Sequence, residues 1–225
     1  MKIQTLLASL LVSSAAMAQT PTMKPIVMKT PNEFQILAAS GNGKWACGVY
    51  SDYSNVQYGF LWNLETGEIE MLDPSKPSVA WSVSDDGLVV GQYEDTSYKS
   101  NGAAVELAGY WANGKWNRFE MPSDEVSGAG AASISPDGHY VTGHVEESGI
   151  YTGYIWKDGK IAKELINTNC SMPYAIAPDG QSAAGWIQRD NRTACIWEAD
   201  GEVTFLSDYQ SPWSSARKYT HDGKN

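Results

Sequence analysis

The chain has 225 residues, a formal net charge of −10, nine tryptophans, twelve tyrosines and three cysteines. So acidic a surface repels phosphate backbones and anionic lipid, which excludes nucleic acid and membrane surfaces as partners. The aromatic content supplies enough apolar area for a core without disulfide staples, and an odd cysteine count leaves at least one thiol unpaired in an oxidising compartment.

Residues 1–18 read as a cleavable secretory signal: Lys2, an apolar run from Leu6 to Val12, then the small-residue site Ala16-Met17-Ala18. The run is too short to span a bilayer, which needs about 20 residues. No cysteine follows the cleavage site, so a lipid-anchored N-terminus is not supported. The expected destination is the periplasm, the cell surface or the medium, with no membrane insertion. Residues 19–35, with Pro21, Pro25 and Pro31 around Ile26-Val27-Met28, read as a leader with at most one strand, a candidate to close the last unit of a ring.

From residue 36 onward the chain repeats itself. The first halves of four copies read ILAASGNGKWACG (36 to 48), VAWSVSDDGLVVG (79 to 91), AASISPDGHYVTG (131 to 143) and PYAIAPDGQSAAG (173 to 185). Their second halves are GFLWNLETGEIEML (59 to 72), GYWANGKWNRFEM (109 to 121), GYIWKDGKIAKEL (153 to 165) and ACIWEADGEVTFL (194 to 206). The repeats span about 36–78, 79–128, 129–170 and 171–213, and a fifth begins at 214–225. The turn glycines Gly43, Gly87, Gly138, Gly180 and Gly223 are 44, 51, 42 and 43 residues apart.

Each copy carries two tight-turn signals. Asn42-Gly43, Asp86-Gly87, Asp137-Gly138, Asp179-Gly180 and Asp222-Gly223 form one set; Asn113-Gly114, Asp158-Gly159 and Asp200-Gly201 form the other. Such pairs favour short hairpins because both residues tolerate positive φ. Two hairpins per repeat make four strands, the size of one propeller blade. The fold predicted is therefore all-β: a β-propeller-like array of about four four-stranded antiparallel blades, either an incomplete propeller or a compact ring closed by the terminal strands. Trp62, Trp111, Trp156 and Trp197 recur once per repeat and are expected to fill the wedge between blades. Cys47 reads as a small buried strand residue, and Cys170 stands at the edge of the fourth repeat, which holds Cys195, so a bridge between the two is left open.

The Ile/Val-Ser-x-Asp-Gly turn, the Val-x-Gly strand and the Gly-Tyr/Phe-x-Trp-x-x-Gly hairpin resemble the HAF-type extracellular repeat of secreted bacterial proteins, over Ile36 to Leu206. The SPDG and APDG turns at Ser135 and Ala177 also resemble the TolB-like propeller repeat, although GYIW and CIW depart from that family's pattern. The HAF-type resemblance implies a propeller-like, extracytoplasmic protein and carries over no catalytic residue.

In a four-stranded blade the first and third turns lie on one face and the second loop on the other. The second loops vary, and variable segments on a rigid scaffold are where recognition concentrates. They supply the candidate ligand-binding residues Tyr53, Tyr58, Glu94, Tyr98, Glu146, Tyr151, Arg189 and Arg192. Tyrosines flanked by carboxylates suit a glycan or protein ligand, since each offers a flat apolar body with a polar tip. The function expected is a non-catalytic binding or scaffold module. The alternative is a secreted carbohydrate-active hydrolase or lyase using carboxylates on that face. The pairs Glu94-Asp95 and Glu146-Glu147 offer oxygen ligands for calcium, but their spacing is not that of a calcium loop, and an acidic protein favours solvated acids there. No G-x-S-x-G, H-E-x-x-H or C-x-x-C motif is present, so the sequence offers no catalytic residue, metal site or cofactor. Oligomeric state is not legible.

Overall fold

The computed structural model describes residues 33–100, 102–165, 170–206 and 214–219. The signal, most of the leader and the last residues of the fifth repeat fall outside these. Sixteen strands form four four-stranded antiparallel sheets, each in simple sequence order. Blade 1 holds β1 (Glu33–Ala39), β2 (Trp45–Ser51), β3 (Gln57–Asn63) and β4 (Ile69–Met71). Blade 2 holds β5 (Ser78–Val83), β6 (Val89–Ser100), β7 (Ala103–Ala112) and β8 (Lys115–Arg118). Blade 3 holds β9 (Gly128–Ile134), β10 (Tyr140–Glu147), β11 (Ile150–Lys157) and β12 (Lys160–Leu165). Blade 4 holds β13 (Ser171–Ile176), β14 (Ala183–Gln188), β15 (Arg192–Trp197) and β16 (Val203–Phe205). Among the described residues no strand of one blade completes the sheet of another.

The recurring serine and Asp-Gly explain the first turn. Ser135 Oγ donates to Asp137 Oδ1 at 2.6 Å and accepts the Tyr140 N–H at 2.9 Å, while the Gly138 N–H closes the turn on the Ser135 carbonyl. Ser40 does the same with Asn42 and Trp45, and Ser84 with Asp86 and Leu88. This is a type I arrangement with glycine last, so only the glycine takes positive φ; Asn42, Asp86, Asp137 and Asp179 do not. The third turns differ: Asn113-Gly114 and Asp158-Gly159 both have positive φ at both residues, the mirror-image turn that matches strand twist. The first turns also link neighbouring blades. The Asn42 N–H reaches Asp85 Oδ1 at 2.8 Å, and the Asp85 N–H reaches the Pro136 carbonyl at 2.9 Å.

Between blades lies the core. Cys47, Leu61 and Leu72 of blade 1 pack on Val83, Val89 and Trp116 of blade 2. Leu107, Phe119 and Val126 meet Val141, Tyr154 and Trp156 of blade 3. Ile155 and Leu165 meet Ile176, Ile187 and Trp197 of blade 4. Trp156 is fully buried and Trp197 nearly so, Trp156 with its Nε1–H on the Glu120 carbonyl at 2.8 Å. Trp111, half-buried, packs beside Trp116 and reaches Glu70 of blade 1, and Trp62 is buried. Trp111, Trp156 and Trp197 are thus interblade wedges; truncating one as deep as Trp156 costs about 3–5 kcal/mol. Cys47 and Cys195 are buried core thiols, both pushed up to about 12 by burial, and the Cys170–Cys195 bridge does not form.

A serine at the head of an inner strand ties it to the preceding blade. Ser78 Oγ accepts the Gly59 N–H at 2.9 Å, and Ser171 Oγ accepts the Gly153 N–H at 3.0 Å. Ser214 Oγ accepts the Ala194 N–H at 2.8 Å in the same way. Residues 214–219 therefore lie against blade 4 as an inner strand lies against the blade before it, with Ala216 and Tyr219 on Ala175, Ala184 and Ile196.

Candidate functional site

Every inner strand contains a β-bulge at the same place. Register slips by one residue between Ile36 and Ala38, Ala80 and Ser82, Ala131 and Ser133, and Pro173 and Ala175. The extra residues are Leu37, Trp81, Ala132 and Tyr174, each six before its turn glycine. The second-strand glycines make the bulge sterically possible. A Cβ on Gly48, Gly91, Gly143 or Gly185 would lie far inside van der Waals contact with the backbone carbonyl of Gln35, Val79, Gly130 or Met172. A bulge re-aims the side chain that it carries. Here all four extra residues face one cavity of about 440 Å³, which is also lined by Gln92, His144, Met172, Arg217 and Lys218. Arg217 occupies the same position, six before Gly223, in the fifth repeat.

The cavity combines an aromatic platform, neutral hydrogen-bonding groups and cations. Trp81 is 40% exposed, whereas Trp62, Trp156 and Trp197 are buried. Its Nε1–H donates to Gln92 Oε1 at 3.2 Å, and Gln92 Nε2 donates to Glu106 Oε2 at 2.7 Å. Tyr174 accepts the Trp186 Nε1–H at 3.1 Å and carries the Arg217 guanidinium over its ring at 4.1 Å. Burial pushes His144 down to about 4, so the ring is neutral at ordinary pH, and it meets Tyr151 edge-on at 5.4 Å. No described carboxylate forms an ion pair with Arg217 or Lys218.

Gln92 and His144 are shared with a second recess lined by Glu106, Ser127, Glu146 and Tyr151. It opens toward the face bearing the second hairpins, where Glu146 and Tyr151 are cross-strand partners. The Glu146 carboxylate pushes the Tyr151 phenol above its ordinary range.

Of the sequence candidates, Glu146 and Tyr151 are therefore brought to the mouth of the axial cavity. Arg192 lies over the Trp186 ring at 4.5 Å and so backs Tyr174. The others are dispersed. Tyr53 is 91% exposed at a hairpin tip, Tyr58 on β3 stands beside Tyr50, and Arg189 lies over Phe205 at 4.3 Å. Glu94 is on β6, its N–H on the Pro77 carbonyl. Tyr98 packs on the blade 2–3 core, accepting the Val126 N–H at 3.0 Å with Arg118 over its ring. The second loop of the second repeat is mostly strand, because β6 and β7 extend as one long hairpin.

The acidic pairs considered for calcium have other partners. Asp95 is buried, yet hydrogen bonds from Ser97 and Tyr93 and the charge of Arg118 hold its carboxyl below the usual range. Glu147 accepts from Ser123 Oγ. Among the described residues no three His, Cys, Asp or Glu are placed to hold a metal ion. Sequence reading missed Trp81, Gln92, His144, Tyr174, Arg217 and Lys218. The available signal was the aligned position six before each turn glycine, where Leu, Trp, Ala, Tyr and Arg replace one another inside an otherwise small-residue strand.

No family model and no curated sequence matches the chain. Among solved structures it is similar to TolB from Acinetobacter baumannii, with 18% identity and a TM-score of 0.52 over 78% of this chain and 44% of that one. It is also similar to a protein from Agrobacterium tumefaciens described as TolB, with 15% identity and a TM-score of 0.52 over 75% of this chain and 63% of that one. The chain thus spans about half to two thirds of the length of these structures. Likeness at this identity speaks for architecture alone: the fold is that of a TolB-like β-propeller.

Proposed function

We propose that this chain is an exported, non-catalytic binding module that takes a glycan or a protein segment into its axial cavity through the second-hairpin face. The observation that carries this reading is the bulge in every inner strand. Four blades share one backbone device that delivers a side chain to the axis, yet the side chains delivered differ in size and chemistry. Packing needs would favour similar residues at equivalent positions of a repeat. Exposed aromatic surface in a concave site with a few convergent polar groups is the usual make-up of a ligand pocket, and 440 Å³ is within the usual range. Glu146 and Tyr151 at the mouth extend the site onto the hairpin face. Export is supported by the layout of residues 1–18, and the HAF-type resemblance of the repeats points the same way.

The test is a screen of the purified chain on glycan and peptide arrays, repeated with the Trp81→Ala/Tyr174→Ala double variant. Hits should drop at least tenfold in the variant while its melting temperature stays within a few degrees. Hits that survive it but are lost on replacing Tyr53 and Tyr58 would move the site to the hairpin tips.

A further inference from the structure

We infer that the axial cavity is selective for an acidic sugar, a pyranose ring bearing a carboxylate, with the ring on Trp81 and the carboxylate at Arg217 and Lys218. The inference rests on the cavity being the binding site.

Trp81 is the available stacking surface. Its indole is 40% exposed, and the Nε1–H bond to Gln92 fixes its orientation. One face of Tyr174 is already covered by Arg217. Stacking on an aromatic ring leaves the in-plane N–H fork of a guanidinium free to meet a carboxylate, and the Nε–H of Arg217 is steadied by Ser215 Oγ at 3.3 Å. Lys218 stands next to it on the same wall. Two cations without a described carboxylate partner, in a chain of net charge −10, concentrate positive potential at one point of an otherwise acidic molecule.

Ring hydroxyls need neutral partners, and the cavity has them. The second amide hydrogen of Gln92 is available beside its bond to Glu106, and the neutral imidazole of His144 offers one donor and one acceptor. An aromatic acid would leave these groups desolvated without partners, which costs about 1–3 kcal/mol each. A guanidinium beside an ammonium also pairs with phosphate, but the stacking face of Trp81 and the neutral partners Gln92 and His144 suit a hydroxylated ring bearing a carboxylate. Glu106 and Glu146 in the adjoining recess repel a second anionic group, which restricts the charge of the ligand to the cationic end.

Calorimetric titration of the full chain with methyl galacturonide, which bears one carboxylate, and with the matched neutral methyl galactoside tests this. The acidic sugar should bind at least tenfold tighter at low salt, and the advantage should shrink as salt is raised. Arg217→Gln should erase the advantage, bringing the acidic sugar to the affinity of the neutral one, while Trp81→Ala should weaken both at least tenfold. Arg217 is exposed, so an unchanged melting temperature verifies that its variant is folded. Equal affinity for the two sugars, or an advantage that survives Arg217→Gln, overturns the inference and leaves the binding-module reading standing on its Trp81 dependence. Inorganic phosphate or benzoate binding as tightly as the acidic sugar would also overturn it. Failure of both sugars overturns it too, and the array screen then decides the broader reading.

Discussion

The bulge of an inner strand and the turn serine three residues after it obey different rules. At the turn, Ser40, Ser84 and Ser135 make one hydrogen-bond pattern three times, with a glycine in the left-handed region each time. At the bulge, the backbone is equally uniform, but the side chains are Leu37, Trp81, Ala132 and Tyr174. The turn is constrained through its side chains because they complete its hydrogen bonds. The bulge is constrained only in its backbone and in the glycine across from it. What it projects into the cavity is therefore free to vary, and that freedom is what a repeat protein needs to build a specific site on a regular scaffold.

The largest effect should come from the glycine that permits the bulge. In Gly143→Ala the new methyl would run into the Gly130 carbonyl, which is backbone and cannot swing away. A loss of at least about 3 kcal/mol in urea unfolding is expected. A loss below about 1 kcal/mol would mean that the bulge is adaptable and the comparison fails.

Next in size is the acid limb of stability. The unfolded chain protonates His144 near pH 6.5 and the folded chain only near 4, because burial opposes the charge. Between those values the unfolded state binds more protons. The contribution is therefore complete above pH 6.5 and is lost as pH falls toward 4, by about 3 kcal/mol. The groups facing His144 are Gln92, Tyr151 and the carboxylates Glu106 and Glu146 of the shared recess. Asp95 and Asp137, held below the usual carboxylate range, act in a more acidic window. His144→Gln should flatten the fall between pH 6.5 and about 4.5, which urea midpoints at several pH values would read.

Ser135→Ala should cost about 1–2 kcal/mol, since it strips two hydrogen bonds from a buried turn. Blade 4 carries Ala177 at that place and keeps the turn without a serine there, through the Gly180 N–H bond to the Ala177 carbonyl, the Ala177 N–H bond to the Ser182 carbonyl and the Gln181 N–H bond to Asp179 Oδ1, so the fold should survive. Equal stability of the variant by urea unfolding would make the serine ornamental.

The smallest effect belongs to the turn-face histidine. His139 is exposed and its Nδ1 is 2.7 Å from Asp158 Oδ1, which raises its pKa above the ordinary value, opposite in direction to His144. Any stability it adds is present below the unfolded pKa and fades as pH rises through the folded one. Asp158→Asn, which keeps a residue tolerant of positive φ, should return the His139 NMR titration to its ordinary midpoint without a measurable change in stability.

Much of this architecture was legible in the sequence because repetition is a one-dimensional signal. Paired Asn-Gly and Asp-Gly turns counted the strands, and a tryptophan per copy marked the interblade wedge that Trp156 and Trp197 fill. The cavity was not legible in that way. Leu37, Trp81, Ala132, Tyr174 and Arg217 are separated by 42 to 51 residues each, and nothing local in any of them announces a site. Hydrophobic alternation assumes that neighbours point to opposite faces, and a bulge breaks that rule at the very residue that matters. The sequence by itself determined blades, turns and wedges, since those depend on local backbone preference and burial. Only the tertiary structure decided which side chains converge, because convergence at an axis is a property of how equivalent positions are arranged around it and not of any one stretch of chain.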